Sequence, residues 1–382
     1  MTGRAVLHIC NDFLWTKVHR NLYAQLDQMG VRQQVFTPLR KHSNRDSNRI
    51  EFLVPGSAIR FSSVLGGHHR IFFGLKIGKL LRDLEALDII GGCDIVHATT
   101  LFSDGALAWE IFRKYRKPYI VAIRNTDINI FLRFKPHLIL LARKILDNAQ
   151  RLVFISQSNH DNFFAHPLLR MHRHDYRAKA LVINNGIDRL WLDNARTQRR
   201  QAASDILFMG QFDPNKNVLR LIRAFLQLQA TRPHLRLRLV GANGSQQAAV
   251  RKAVAAHAGK IVWHGHMAPG QQLLDVVRCC DVFAMASHHE TFGLVYVEAL
   301  SQGLPVLYTR GQGIDGTFIQ NVGAAVDPKS VAAIRRGLEH IIDNFSAFDT
   351  GKVAFERFGW PHIAQRYAGM YEAILSSPDE YR

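Results

Sequence analysis

Short apolar runs alternate with segments of helical periodicity along the chain. In the first half, 5–10, 33–36, 94–97, 118–123, 151–155 and 180–183 read as strands, and 16–29, 70–86, 102–115, 133–148 and 157–164 as helices. The series then restarts. Strands fall at 205–209, 235–240, 260–263, 281–285 and 305–308, and helices at 216–230, 245–258, 271–279 and 292–302. Strands this short and apolar are buried on both faces, which calls for parallel sheets covered by helices. Two such series predict an α/β protein of two doubly wound, Rossmann-like parallel-sheet domains.

The polar stretch from Leu192 to Gln201 follows the turn Asn184-Asn185-Gly186 and predicts the domain boundary, with one domain over 1–195 and a second over 196–359. Trp360-Pro361 opens a closing helix that runs to about Ile374, since proline suits a first helical turn. No repeat or low-complexity tract interrupts this plan.

A chain of 382 residues with 47% hydrophobic content can bury two cores. No uncharged apolar run approaches twenty residues, so no spanning helix is expected. The segment Ala5–Cys10 is too short and wrongly flanked for a signal peptide and reads as a first strand. Cys10, Cys93, Cys279 and Cys280 lack metal-ligand spacing, and few cysteines favour a reducing, cytoplasmic setting.

Charge changes the picture. Of the net +18, residues 1–200 carry +15. Such a half attracts phosphates, anionic lipid headgroups or nucleic acid, unless it is simply a well-solvated basic surface. Nucleic acid is not expected as a partner, because no helix-turn-helix, zinc-finger or RNA-binding signature is present. Residues 70–82 and 131–144 mix apolar and cationic side chains. Each suits either an anionic membrane surface or an amphipathic helix packed on its own domain.

The densest chemistry lies in Ser287-His288-His289-Glu290-Thr291-Phe292-Gly293-Leu294, continuing through Glu298 to Gly303-Leu304-Pro305-Val306. An apolar strand runs into a polar loop, and a helix is expected to start near Thr291. A helix N-terminus at the carboxyl end of a parallel strand gathers unpaired N–H groups and a positive dipole end, a site for phosphate. Glu290 and Glu298 flank it. On a straight helix they would lie about 10–12 Å apart along the axis. That is too far for a retaining-hydrolase pair, at roughly 5–5.5 Å, and suits the two ends of one extended ligand. Phosphate between hydroxyl-binding carboxylates suggests a sugar nucleotide. Alone, two glutamates eight apart favour the plainer reading, with Glu290 a helix N-terminal charge and Glu298 a solvated helix residue.

Three further segments end at strand edges. In Met209-Gly210-Gln211-Phe212-Asp213-Pro214-Asn215-Lys216-Asn217, Lys216 sits beside a helix start, placed to neutralise a diphosphate or else simply exposed. In Ile123-Arg124-Asn125-Thr126-Asp127, Arg124 suits phosphate and Asp127 a sugar hydroxyl, with an ion pair or cap as the structural alternative. His97 ends Cys93-Asp94-Ile95-Val96-His97, and Asn185-Gly186 form a turn expected to face the space between domains.

Together these residues resemble the retaining glycosyltransferases of family 4, which have the two-domain GT-B fold. The E-x7-E element is matched by Glu290 and Glu298, the diphosphate segment by Gly210-Gln211-Phe212 and Lys216-Asn217, and the remainder by Asn185-Gly186-Ile187-Asp188 and Trp360. The resemblance runs from about residue 94 to 376. It implies two domains facing across a cleft, with residues 360–382 crossing back to the first. Glu298 would bind ribose, and Glu290 with the N–H groups of Phe292, Gly293 and Leu294 would hold sugar and phosphates, beside Thr291. Lys216 would stabilise the leaving diphosphate with no metal or other cofactor. Catalysis would fall to Lys216, Glu290, Arg124 and Asp127. Donor contacts would include Gly210 and Gln211, and the acceptor would meet His97, Asn185 and Gly186.

The implied activity is retaining transfer of a sugar from a nucleotide-diphosphate donor to a glycan or lipid-linked acceptor. The implied setting is bacterial surface polysaccharide synthesis (lipopolysaccharide, capsule or exopolysaccharide); cysteine usage points to the cytoplasm, and the basic first half suggests a peripheral position on the inner membrane face. Three departures from the family stand out. Gln211 replaces a common Arg, Asn11–Thr16 replaces a Gly-rich loop, and Arg124 replaces a family His. Competing readings are a nucleotide-sugar epimerase or hydrolase on the same fold, and a basic nucleic-acid binder.

Overall fold

The computed structural model describes residues 4–41, 47–70, 72–196 and 202–376. The chain forms two compact units. The first comprises the chain to Ile155, Asn159–Gly186, and everything from Trp360 onward. The second comprises Ser156–Ser158 and Ile187–Gly359. The division thus falls after Gly186, upstream of residue 195. Ile187 is buried, and its N–H donates to the Phe358 carbonyl, so apolar contact places the division where polarity did not. Of the polar stretch, Thr197–Gln201 lie outside the described residues.

Among the described residues the first unit holds seven strands: β1 (Ala5–Ile9), β2 (Arg32–Thr37), β3 (Ala58–Phe61), β4 (Ile95–Ala98), β5 (Tyr119–Ile123), β6 (Arg151–Phe154) and β7 (Ala180–Val182). All pairs are parallel, in the order β3-β2-β1-β4-β5-β6-β7. Its helices are α1 (Lys17–Gln28), α2 (Phe73–Ala86), α3 (Ser103–Tyr115), α4 (Ile139–Asn148), α5 (Gln157–Ala165, whose first two residues group with the second unit) and α6 (Arg173–Ala178). Strand alternation sends Leu7, Val96 and Val121 into a core with Leu80, Leu107 and Ile145 of α2, α3 and α4. The opposite face sends Val6, Ile95 and Ile120 against Leu22 and Leu26 of α1 and against the closing helix, through Ile363 and Tyr371.

The second unit holds β8 (Asp205–Met209), β9 (Arg236–Val240), β10 (Ile261–Trp263), β11 (Val282–Ala284), β12 (Val306–Thr309) and β13 (Gly323–Val326), in the order β10-β9-β8-β11-β12-β13 and parallel throughout. Its helices are α7 (Arg189–Asp193), α8 (Val218–Gln229), α9 (Gln247–Ala256), α10 (Gln271–Arg278), α11 (Leu294–Ser301) and α12 (Val331–Asp343); α13 (Trp360–Ser376) returns to the first unit. Strand order reverses between β1 and β4 in one sheet and between β8 and β11 in the other. Those are the switch points where doubly wound sheets bind ligands at the carboxyl ends of their strands.

The helix expected over 133–148 is broken. Asp127–Leu132 form a π-helical turn and Pro136–Leu138 a 3-10 turn, and α4 begins only at Ile139. Pro136 has no N–H to continue a helix. The helix expected over 70–86 starts at Phe73, and Ile71 lies outside the described residues. Strands β3 and β13 and helix α12 carry no expectation. β3 is a half-exposed edge strand and β13 reads Gly-Ala-Ala-Val, so neither shows a strong apolar pattern.

Candidate functional site

At the switch point of the second unit, two loops are joined. The loop after β8 carries Asp213–Asn217, and the loop after β11 carries Ala286–Gly293. Asn215 binds the second loop three times: its carbonyl accepts from His288 N–H at 2.8 Å, its Oδ1 from His289 N–H at 2.9 Å, and its Nδ2 donates to the His289 carbonyl at 3.0 Å. Asn217 takes a left-handed backbone (φ 62) and donates to the Ala286 and Pro328 carbonyls. Asparagine tolerates that conformation better than most residues. Asp213 Oδ1 accepts from Lys216 N–H at 2.8 Å.

This stitching delivers Lys216 Nζ to 2.7 Å from Glu290 Oε2. Glu290 is held further by Thr291 N–H on Oε1, by Gln312 Oε1 on its own N–H, and by Gly313 N–H on its carbonyl. Sequence reasoning passed over Asn215, Gln312 and Gly313. Asparagine at a loop start is a visible signal, whereas the 312–313 turn carries none.

Helix α11 starts at Leu294 with Gly293 as its N-cap, so the expected start near Thr291 moves inward. Thr291 and Phe292 belong to the loop, and the axial spacing argued for Glu290 and Glu298 does not apply. Gly293 has φ 79, and a Cβ there would stand 2.5 Å from the Tyr296 ring and 3.0 Å from Glu290 Cγ. Only glycine lets the chain turn this tightly behind the glutamate. The first N–H groups of a helix lack intrahelical partners, so those at the start of α11 open beside the Lys216–Glu290 pair. Gly210 follows β8, with its N–H on the Val240 carbonyl, and Gln211 is exposed.

Glu298 lies within α11 and is only partly exposed. Burial, with Asp188 adding repulsion, pushes its carboxyl up to about 7. A largely enclosed carboxylate that forms no ion pair among the described residues is not the solvated helix charge of the simplest reading. It favours hydrogen-bond donors such as hydroxyls.

The first unit corrects several expectations. His97 lies inside β4, 1% exposed, with Nδ1 2.8 Å from the Tyr371 hydroxyl and its ring 5.2 Å from that of Tyr367. It anchors α13 rather than opening to an acceptor. Burial, followed by repulsion from His8, His19 and Arg124, holds it well below the usual imidazole range, hence neutral. Asp127 is also buried, and its carboxylate accepts from the N–H groups of Arg124 (2.9 Å), Leu101 (3.1 Å) and Phe102 (3.4 Å). It clamps two loops, a positioning contact rather than the exposed hydroxyl contact expected from sequence. Gly186 does not take a positive φ; a Cβ there would stand 2.6 Å from the Trp360 ring, so packing requires the glycine. Asn185 is half-buried, and Asn184 next to it donates to the Ile155 carbonyl.

Arg124 donates from Nε to the Thr99 carbonyl at 3.0 Å. Nearby, at the ends of β1 and β4, stands a polar group that sequence reasoning missed. Asp104 accepts from Thr99 Oγ1 at 2.8 Å, and burial raises its carboxyl to about 7. Lys76 is 5% exposed and donates to Ser103 Oγ at 3.0 Å; burial lowers its pKa. Lys76 reads as one more cation in a helix until the fold turns it inward. Among the described residues, no three His, Cys, Asp or Glu side chains are placed to share a metal ion.

Known proteins resemble this chain over most of its length. Residues 16–189 match the family described as Glycosyltransferase Family 4, and residues 192–347 that described as Glycosyl transferases group 1. A D-inositol 3-phosphate glycosyltransferase of Thermobispora bispora is 26% identical over 92% of this chain and 87% of its own. A GDP-mannose:cellobiosyl-diphosphopolyprenol alpha-mannosyltransferase of Xanthomonas campestris is 31% identical over 52% of this chain and 53% of its own. Among solved structures, sucrose-phosphate synthase from Thermosynechococcus elongatus superposes with a TM-score of 0.72 at 18% identity, covering 98% of this chain and all of that one. Anabaena HepE in complex with UDP and glucose gives 0.67 at 17% identity, covering 97% of this chain and all of that one. With residues 16–189 and 192–347 matched in turn, its two parallel sheets and its glycosyltransferase relatives, the chain belongs to the family 4, group 1 glycosyltransferases and has the GT-B fold.

Proposed function

We propose that this glycosyltransferase takes a sugar from a nucleotide-diphosphate donor and passes it, with retention of anomeric configuration, to a glycan or lipid-linked acceptor in the synthesis of a bacterial surface polysaccharide in the cytoplasm. The observation that carries the donor assignment is Lys216 held at 2.7 Å from Glu290 beside the N-terminus of α11. A diphosphate entering there exchanges with Glu290 for the ammonium and meets the open N–H groups. Glu290 then accepts from the sugar's hydroxyls, and Glu298 from those of ribose. The neighbour solved with UDP and glucose supports a nucleotide-sugar donor. The acceptor is assigned to the first unit, at the ends of β1 and β4 around Lys76, Asp104 and Arg124.

In the reaction, the bond from the anomeric carbon to the diphosphate oxygen breaks and a bond to the acceptor oxygen forms on the same face. The acceptor's proton passes to the departing phosphate. The protein's task is to stabilise charge growing on that phosphate, which Lys216 and the start of α11 do without a metal ion.

Thermal shift against uridine, guanosine and adenosine diphosphates and their sugars identifies the donor. Proton NMR of the product then reads the anomeric coupling. The donor's configuration is expected in the product; inversion contradicts the proposal. Sugar release or isomerisation at full rate without acceptor favours the hydrolase or epimerase reading.

A further inference from the structure

The first unit exposes apolar side chains within two of its cationic segments. Phe72 and Leu75, at the start of α2, are 55% and 60% exposed, and Leu140, in the first turn of α4, is 65% exposed. Ile130, in the π-helical turn, and Phe134, just after it, are 49% and 68% exposed. Five large apolar side chains in two short segments are not the scattered exposure common on soluble surfaces.

The two segments converge. Phe73 and Gly74 of α2 line the same cavity of about 490 Å³ as Trp109 of α3 and Leu141 of α4. Lys76 of α2 donates to Ser103, while Phe131 stacks on Phe102 with centroids 4.7 Å apart. The start of α3 therefore holds both segments side by side. All of this lies on the face of the sheet covered by α2, α3 and α4, opposite α1 and α13.

Charge on this face is predominantly positive, and its two carboxylates, Glu85 and Glu110, line the same cavity. Neither 52–82 nor 128–146 contains an aspartate or glutamate. Between the apolar side chains stand exposed Arg133, Lys144 and Arg82. Arg133 lies 5.3 Å from the Phe134 ring centroid, and Lys144 5.4 Å from that of Trp109. The carboxylates bordering the face are already engaged: Glu110 pairs with Arg113, and Glu85 with Lys114. Protruding apolar side chains interleaved with cations match a surface that is apolar within and anionic at its boundary. No helix among the described residues is long and apolar enough to cross a membrane, so contact is with one leaflet.

We propose that this face docks the protein on an anionic phospholipid bilayer, with Phe72, Leu75, Ile130, Phe134 and Leu140 entering the leaflet and Arg133 and Lys144 meeting headgroup phosphates. The docking stands independently of the sugar transferred.

Flotation of the full chain with vesicles tests it, using phosphatidylcholine alone and phosphatidylcholine with about one third phosphatidylglycerol. Wild type floats with the mixed vesicles, weakly with the neutral ones, and less as salt rises. Phe134→Glu with Leu140→Glu lowers partitioning at least tenfold, and Arg133→Glu with Lys144→Glu lowers it on anionic vesicles only. Leu53→Glu is the control. Leu53 is 74% exposed, and its N–H is held by Asp27 of α1, on the opposite face. It floats as wild type does. No binding at low salt overturns the proposal, as does equal loss in the Leu53 variant. So does a lipid-free shift from dimer to monomer in the Phe134/Leu140 variant, which identifies the face as a protein contact.

Discussion

Lys216 and Glu290, separated by 74 residues in sequence, form an ion pair at 2.7 Å between the loops that follow β8 and β11. The pair presets the site. The ammonium is held at the place proposed for a diphosphate, and the carboxylate is held by the Thr291 N–H and, through its backbone, by Gln312 and Gly313.

Lys216→Ala should lower kcat by about 10²–10³, the usual cost of one lost donor to a developing oxyanion. KM for the donor should change much less, because the charge matters most as the phosphate leaves. Steady-state kinetics over donor concentration separates the two. A large rise in KM with kcat intact would place Lys216 in ground-state binding alone.

Glu298 titrates near 7, so donor affinity should rise from about pH 6 to 8 as the carboxylate ionises and accepts from hydroxyls. Glu298→Gln should weaken donor binding by about one order of magnitude, the loss expected for a hydrogen bond to a charged group, and flatten this dependence. Titration calorimetry at several pH values reads both. Without ligand the sign reverses: the folded state binds more protons than the unfolded state, whose glutamate titrates at 4.5. Stability should therefore fall as pH rises from about 4.5 to about 7, and Glu298→Gln should remove part of that fall.

Gly293→Ala should cost stability and activity together. A methyl group meets the Tyr296 ring at 2.5 Å, on a backbone with φ 79. A loss on the order of 1–3 kcal/mol is expected from strain of this kind. Denaturant melts and donor binding should both register the change. A variant as stable and active as wild type would contradict the local geometry.

Tyr371→Phe removes the hydroxyl held by His97 Nδ1 and leaves a buried nitrogen without that partner. The expected cost is about 1–3 kcal/mol in unfolding, with kcat and KM near wild type. A loss of turnover without a loss of stability would return His97 to the acceptor site.

Much of the fold was legible because burial on both faces of a parallel sheet leaves unmistakable apolar runs. β8, Asp205–Met209, falls where its pattern placed it, while β13, made of glycine and alanines, left no such mark. The loop after β11 was legible because a polar run with a glutamate and a glycine turn follows an apolar strand. What the chain did not disclose are the side chains whose role depends on burial. Asp127 and His97 look alike in sequence, polar groups at or near a strand's end, yet one clamps backbone N–H groups and the other pins a helix from the far end of the chain. The same holds for Lys76 and Asp104, which folding turns inward.

A crystal structure with a nucleoside diphosphate bound tests the central claim most directly. The account predicts the pyrophosphate on the N–H groups at the start of α11, Lys216 Nζ within hydrogen-bond distance of a phosphate oxygen, and ribose hydroxyls on Glu298. A nucleotide seated elsewhere, with the Lys216–Glu290 pair closed and Glu298 untouched, would contradict it.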